Sequence, residues 1–112
     1  MGIYSFPKEE KIRRRADFQR TFQKGAKRKT EHFRIYICPT PLTHSRLGIS
    51  VSKRVGGAVI RNRLKRLIRE FFRLSKDLFP GFSDVVIVPQ PGAARLNFWK
   101  LAEELKRIFR EQ

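Results

Sequence analysis

Between an alternating segment, LGISVSK at 47–53, and an unbroken apolar run, VVIV at 85–88, lies one long amphipathic stretch, GAVIRNRLKRLIREFF at 57–72. Strand, helix and strand in that succession imply a crossover connection, which commits the chain to layers, with a helix packed on a sheet. In LGISVSK, Leu47, Ile49 and Val51 fall on one face and Gly48, Ser50 and Ser52 on the other, the period of a half-buried strand. HFRIYIC at 32–38 repeats it, with Phe33, Ile35 and Ile37 set against Arg34, Tyr36 and Cys38. The connector PTPLTHSR is rich in turn residues, and Pro39 and Pro41 are expected to end the first strand early.

Two further helices flank these elements. Residues 14–24 place Phe18 and Phe22 one turn apart, with Gly25 positioned as a C-terminal stop. In NFWKLAEELKRIF, Asn97 is a plausible N-cap, and Phe98, Leu101, Ala102, Leu105, Ile108 and Phe109 form an apolar stripe. Residues 1–13 lack periodicity and are expected to form an arm ordered only against the rest of the molecule, or a solvated tail. The chain of 112 residues, 40% hydrophobic and with 10 Phe, has material for one core and one domain, residues 1–112. The expected fold is α+β: a single-domain α/β sandwich with three helices on a central mixed sheet. Ordinary strand counts suggest four strands, in the order αβββαβα or αββαβα.

Charge narrows the class of partner. The chain carries 26 Lys+Arg against 10 Asp+Glu, a formal net charge of +16. Residues 8–29 hold ten basic and three acidic side chains and residues 59–73 six and one, whereas residues 84–112 hold five and four. The excess is therefore a surface feature, and it points to a polyanion, nucleic acid ahead of an acidic membrane. No apolar run follows the basic N-terminus, and VVIV is far too short to span a bilayer. A single cysteine, Cys38, cannot form an internal disulfide. A soluble cytoplasmic protein is expected.

The long helix concentrates that charge. At 3.6 residues per turn, Ile60, Leu64, Leu67, Ile68 and Phe71 form one stripe, with Val59 and Phe72 on its flanks. Arg61, Lys65 and Arg69 form a row at i, i+4, i+8, with Asn62, Arg66 and Arg73 beside it and Arg63 at the border. A solvated helix face normally alternates Glu with Lys or Arg, but Glu70 is the only acid on this face. Arg61 and Arg63 also stand near the positive end of the helix dipole, at a cost of roughly 0.3–1 kcal/mol each. An external polyanion offsets both costs, and guanidinium forks suit phosphate oxygens and base edges.

The block RLGISVSKRVGGAVIRNRLKRLIREFF, residues 46–72, resembles the signature region of the bacterial ribonuclease P protein components, with RNR at 61–63 at its centre. FPKEEKIRRRADFQRTFQKG and HFRIY are similar to that family's first helix and first strand, while the C-terminal third matches in pattern. The resemblance implies a small subunit that joins a catalytic RNA, ribonuclease P RNA, as a monomer in a 1:1 particle. That particle would remove the 5′ leader from precursor tRNA by endonucleolytic cleavage, with Mg2+ serving chemistry carried by the RNA and none bound by the protein alone. It implies a left-handed βαβ crossover as well. Arg61, Asn62, Arg63, Lys65, Arg66 and Arg69 would meet the catalytic RNA. Phe18, Phe22, Arg34, Tyr36, Ser50 and Lys53 would face the leader, in a cleft between the first helix and the sheet. From the residues alone, Phe18 and Phe22 are equally readable as core, although aromatics in a cationic groove are what single-stranded nucleic acid stacks on.

Nothing in the sequence assembles protein-side catalysis. His32 abuts a strand, His44 lies in a turn, and neither has metal-ligand spacing to Cys38. Asp17, Glu31, Glu70, Asp77 and Asp84 are scattered, and Gly56–Gly57 lacks the context of a phosphate-binding loop. No small-molecule substrate or membrane partner is expected. Two other classes fit a basic helix. A ribosomal-type or DNA-binding protein would bind duplex tightly, and a stand-alone ribonuclease would cut without an RNA partner.

Overall fold

A computed structural model describes residues 8–78 and 82–110. Its elements are α1 (Arg15–Lys24), β1 (Ala26–Lys29), β2 (Phe33–Pro39), β3 (Arg46–Ile49), α2 (Ala58–Leu74), β4 (Ser83–Pro89) and α3 (Phe98–Arg110). This is the order αβββαβα in one α+β domain. Short 3-10 turns occupy Lys8–Glu10, Lys76–Leu78 and Pro91–Arg95. The four strands lie in the order β1-β2-β4-β3, with β1·β2 and β2·β4 antiparallel and β3·β4 parallel. The crossover expected from the sequence is thus β3-α2-β4, joining neighbouring parallel strands.

The period-2 pattern decides the layers. Phe33, Ile35 and Ile37 of β2, Val85 and Ile87 of β4 and Leu47 of β3 point to one face. There they pack with Leu64, Ile68, Phe71 and Phe72 of α2 and with the α3 stripe from Leu101 to Phe109. Side chains of this size contribute about 1.5–3 kcal/mol each when fully buried. Asn97 caps α3 as expected, its Oδ1 accepting from the Lys100 amide at 2.9 Å. The opposite sheet face receives α1, whose Phe22 ring meets Tyr36 edge-on at 4.9 Å.

Several sequence expectations change. β1, Ala26–Lys29, carries no hydrophobic alternation because all four residues are exposed at the sheet edge, and nothing in AKRK marks a strand. For the arm, residues 8–13 follow the expectation of order against the rest of the molecule, not that of a solvated tail. Lys11 bridges Leu47, the Ile12 amide donates to the Leu47 carbonyl at 2.9 Å, and the Ile12 side chain is buried. The remainder of the expected arm, residues 1–7, lies outside the described residues. β2 does not stop short but runs through Pro39, opposite Ser83, because the ladder needs no amide there. β3 is shorter than LGISVSK and ends at Ile49, and the chain turns at residues 53–55. On α2, Val59 is 84% exposed, ahead of the point where the helix meets the core.

Gly25 ends α1 in extended backbone, φ −73° and ψ 151°, so its role is not a left-handed cap. A Cβ there would lie 2.5 Å from the Thr21 carbonyl oxygen of α1 and 3.1 Å from the Ile37 carbonyl oxygen of β2. Glycine is required because helix and sheet approach too closely for a side chain.

Candidate nucleic-acid interface

α2 lies apolar side down and turns its cations in three directions. Asn62 and Arg66 stand exposed on the outer crest. Lys65 and Arg69 occupy one shoulder, where with Lys11, Arg13, Phe18 and Gly48 they line a narrow groove of about 140 Å³ against β3. Arg63 occupies the other shoulder and turns inward, its Nη2 donating to the Leu96 carbonyl at 2.8 Å and its Nη1 to that of Ala94. Arg63 therefore ties α2 to the segment before α3, which separates it from the other five cation-face residues predicted to meet RNA. Its border position in the stripe was the signal. Arg61 has a buried Nε with no hydrogen-bond partner. Glu70, the lone acid, is taken by Arg73 at 2.8 Å, which leaves the Arg61–Lys65–Arg69 row without a carboxylate among the described residues.

A second, open groove of about 440 Å³ runs between α1 and the sheet, and Arg13, Arg15, Phe18, Phe22, Ile49 and Ser50 are among its walls. Arg13, Phe18 and Ile49 line both grooves, so the two adjoin across a shared wall. Phe18 rests directly on β3, for a Cβ on Gly48 would stand 2.6 Å from its Cε1. Phe22 is 38% exposed and edge-on to Tyr36. Both rings thus touch the sheet and open to solvent, which resolves the choice between core and surface in favour of a lined groove. Ser50 is exposed at its wall, and Arg34 is exposed two residues from Tyr36 on the same face of β2. Lys53 is not among the lining residues. With β3 ended at Ile49, it stands exposed on the following turn.

What fixes α1 over the sheet is a set of four charges drawn from α1, β3 and β4. Asp84 is fully buried in β4 and takes Arg46 of β3 in a bidentate pair, Nε to Oδ1 at 2.9 Å and Nη2 to Oδ2 at 2.7 Å. Arg20 of α1 reaches the same carboxylate, and Asp17 forms an ion pair with Arg20 at 3.3 Å and accepts from Arg46 at 3.4 Å. Hydrogen bonding to Asp84, opposed by burial and helped by the charges of Asp84 and Asp17, raises the Arg46 guanidinium above its ordinary value. Only the register that sets Arg46 opposite Asp84 brings these residues together.

A comparable clamp closes the other end of the core. Glu104 of α3 is buried and accepts from the Thr30 hydroxyl, the His32 amide at 2.8 Å and His32 Nδ1 at 2.7 Å. Burial pushes its carboxyl up, but the hydrogen bonds from Thr30 and His32 outweigh that and hold it below the usual glutamate value. His44 donates from Nε2 to the Glu9 carbonyl at 2.8 Å. Each histidine therefore has a structural partner. Among the described residues no three His, Cys, Asp or Glu side chains converge in a way that could hold a metal ion. No helix among those residues is long and apolar enough to cross a membrane.

A cationic helix face joined to an aromatic groove on this topology has relatives. The family model described as Ribonuclease P matches residues 6–112. The ribonuclease P protein component of Desulforapulum autotrophicum is 40% identical over 111 residues, 99% of this chain and 95% of the relative. That of Dictyoglomus thermophilum is 41% identical over 112 residues, 97% and 92% of the two chains. Among solved structures, the RNase P protein from Thermotoga maritima superposes with a TM-score of 0.83 at 34% identity, covering 92% of this chain and 97% of its own. The Staphylococcus aureus RNase P protein also scores 0.83 at 34% identity, covering 90% and 93%. With the matched region running from before α1 to the end of α3, and fold and sequence in agreement, the chain belongs to the ribonuclease P protein family.

Proposed function

We propose that this chain is the protein subunit of ribonuclease P, binding the catalytic RNA through α2 and the 5′ leader of precursor tRNA through the α1–sheet groove. The observation that carries this division is the adjacency of two unlike surfaces that share Arg13 and Phe18. One is a helix face rich in guanidinium groups without carboxylate partners, and the other is a groove in which aromatic edges sit among cations. The first suits the phosphates of a folded RNA. The second suits single-stranded nucleotides, whose bases stack on aromatic rings at about 1–3 kcal/mol each.

In this account Arg61, Asn62, Lys65, Arg66 and Arg69 neutralise and orient the catalytic RNA. Arg63 holds α2 in position through the carbonyls of Ala94 and Leu96. Phe18, Phe22 and Tyr36 receive leader bases, while Arg34 and Ser50 contact the leader backbone, with Lys53 joining only if the leader reaches past β3. Cleavage chemistry and the Mg2+ it uses belong to the RNA, and the protein contributes binding and charge neutralisation. The working unit is one protein with one RNA in the cytoplasm, acting as an endoribonuclease in tRNA 5′ maturation.

The test is reconstitution at low magnesium with precursor tRNA, using the protein alone, a bacterial ribonuclease P RNA alone, and both together. Accurate 5′ cleavage is expected only from the pair. Cleavage by the protein alone would place the chemistry on this chain, and a pair no better than the RNA alone would remove the subunit assignment.

A further inference from the structure

Next to the groove between α1 and the sheet, Tyr36 stands against the groove-lining Phe22. The register sets Lys27 of β1 directly opposite Tyr36 and Lys29 directly opposite Arg34. Paired residues share a face, so both lysines stand on the Tyr36 face of the sheet and Arg28 on the other, although at the end of the strand Lys29 as well as Arg28 lines a pocket with Arg107 and Ile108 of α3. Lys27, Lys29 and Arg34 are all exposed, and among the described residues none has an ion-pair or side-chain hydrogen-bond partner.

Lysines on an edge strand have an ordinary explanation, since they discourage pairing with another sheet. That explanation covers β1 alone. It does not account for Arg34, which sits inside the sheet on β2 and faces Lys29 as a like-charged cross-strand pair, an arrangement that costs stability. A polyanion across the two strands reverses the cost. On the other side of Arg34 in the same row comes Val88, and beyond it Ser50, whose amide donates to the Ile87 carbonyl at 3.1 Å. A line thus crosses the sheet from Ser50 at the aromatic groove to Lys29 at the free edge, over roughly 14 Å, three interstrand spacings.

We infer that Lys27 and Lys29, with Arg34, form a phosphate track that carries the groove across β1 and holds the part of the leader furthest from the cleavage site. The polarity follows from the other end of the groove. There Arg13 and Phe18 adjoin Lys65 and Arg69 of the catalytic-RNA helix, so leader nucleotides near the RNA-borne chemistry enter at β3 and the distal ones leave over β1. The inference rests on the leader reading given above.

The experiment measures affinity of the assembled protein–RNA enzyme for precursor tRNAs whose leaders are lengthened one nucleotide at a time, with mature tRNA as the origin. The wild-type complex should gain affinity until the leader crosses β1 and then level off. The double variant Lys27→Ala/Lys29→Ala should match wild type for mature tRNA and the shortest leaders, and level off earlier. Its log–log salt slope on the longest leader should be shallower by about 1.4, since each single-strand phosphate left without its lysine removes roughly 0.7 from the slope. Lys27→Arg/Lys29→Arg should restore the full gain. A wild-type length profile from the alanine variant would overturn the track and leave the lysines as guards of the sheet edge. An equal loss at every length would overturn it too, placing them on the tRNA body or the catalytic RNA. If the wild-type complex gains nothing from any leader nucleotide, the leader reading itself fails and the track with it, a result visible before any variant is made.

Discussion

A Cβ on Gly48 would stand 2.6 Å from Cε1 and 2.8 Å from Cζ of Phe18, so one methyl group displaces the ring that walls both grooves. Gly48→Ala should leave the circular dichroism spectrum and the affinity for ribonuclease P RNA near wild type, because neither the core face nor the α2 crest is touched. It should reduce the preference of the assembled enzyme for leader-bearing precursor over mature tRNA, and an unchanged preference would show that leader binding does not depend on where Phe18 sits. Asp84 presents the opposite case, a fully buried charge whose removal leaves Arg46 and Arg20 only their longer contacts to Asp17. Breaking a buried pair from one side typically costs about 3–5 kcal/mol. Urea unfolding of Asp84→Ala should show a loss of about 3 kcal/mol. A loss within the few tenths expected of a surface change would mean that α1 is held mainly by its aromatic contacts.

At the scale of elements, α3 is tied to the β1–β2 turn by one carboxylate, and the tie is pH-dependent. The folded Glu104 carboxyl lies below its ordinary value of 4.5, so as pH falls the unfolded chain takes up this proton first. The stabilisation is complete above the ordinary value and is lost as pH falls through the lower, folded one. Glu104→Gln should therefore be less stable than wild type at neutral pH and lose less stability on acidification across that window, measured by denaturant unfolding at a series of pH values. Parallel acid limbs for the two proteins would contradict the assignment. The elements also differ in how legible they were. α2, α3 and β2 announce themselves because each buries one face, and burial writes a period into the sequence, while β4, buried on both faces, shows as an unbroken apolar run. β1 buries nothing and writes none. The Asp17–Arg20–Arg46–Asp84 set and the Thr30–His32–Glu104 clamp join residues up to 74 positions apart, and only strand register and helix placement bring them together. Of the site, the cation row was readable from helical spacing. The inward turn of Arg63 and the shared wall of the two grooves needed the neighbours that α2 and α1 acquire on folding.

Over the whole molecule, the sheet separates two tasks. One face and the helices on it supply the core and carry the cationic crest of α2 outward, while the other face, only partly covered by α1, remains open as a groove. The excess charge implied by +16 is thus divided between two surfaces that meet at Arg13 and Phe18. Both should weaken with salt, so salt dependence alone does not distinguish them. The central claim is that the surfaces have different RNA partners. The most direct test is the ratio of precursor to mature tRNA affinity of the assembled enzyme, measured at saturating protein for Arg61→Ala/Arg66→Ala and for Phe22→Ala/Tyr36→Ala. The account predicts that the α2 variant needs more protein to saturate the RNA but then shows the wild-type ratio. The groove variant should saturate normally and show a ratio lowered toward unity. A lowered ratio in the saturated α2 variant, or a wild-type ratio in the groove variant, would contradict the division of labour.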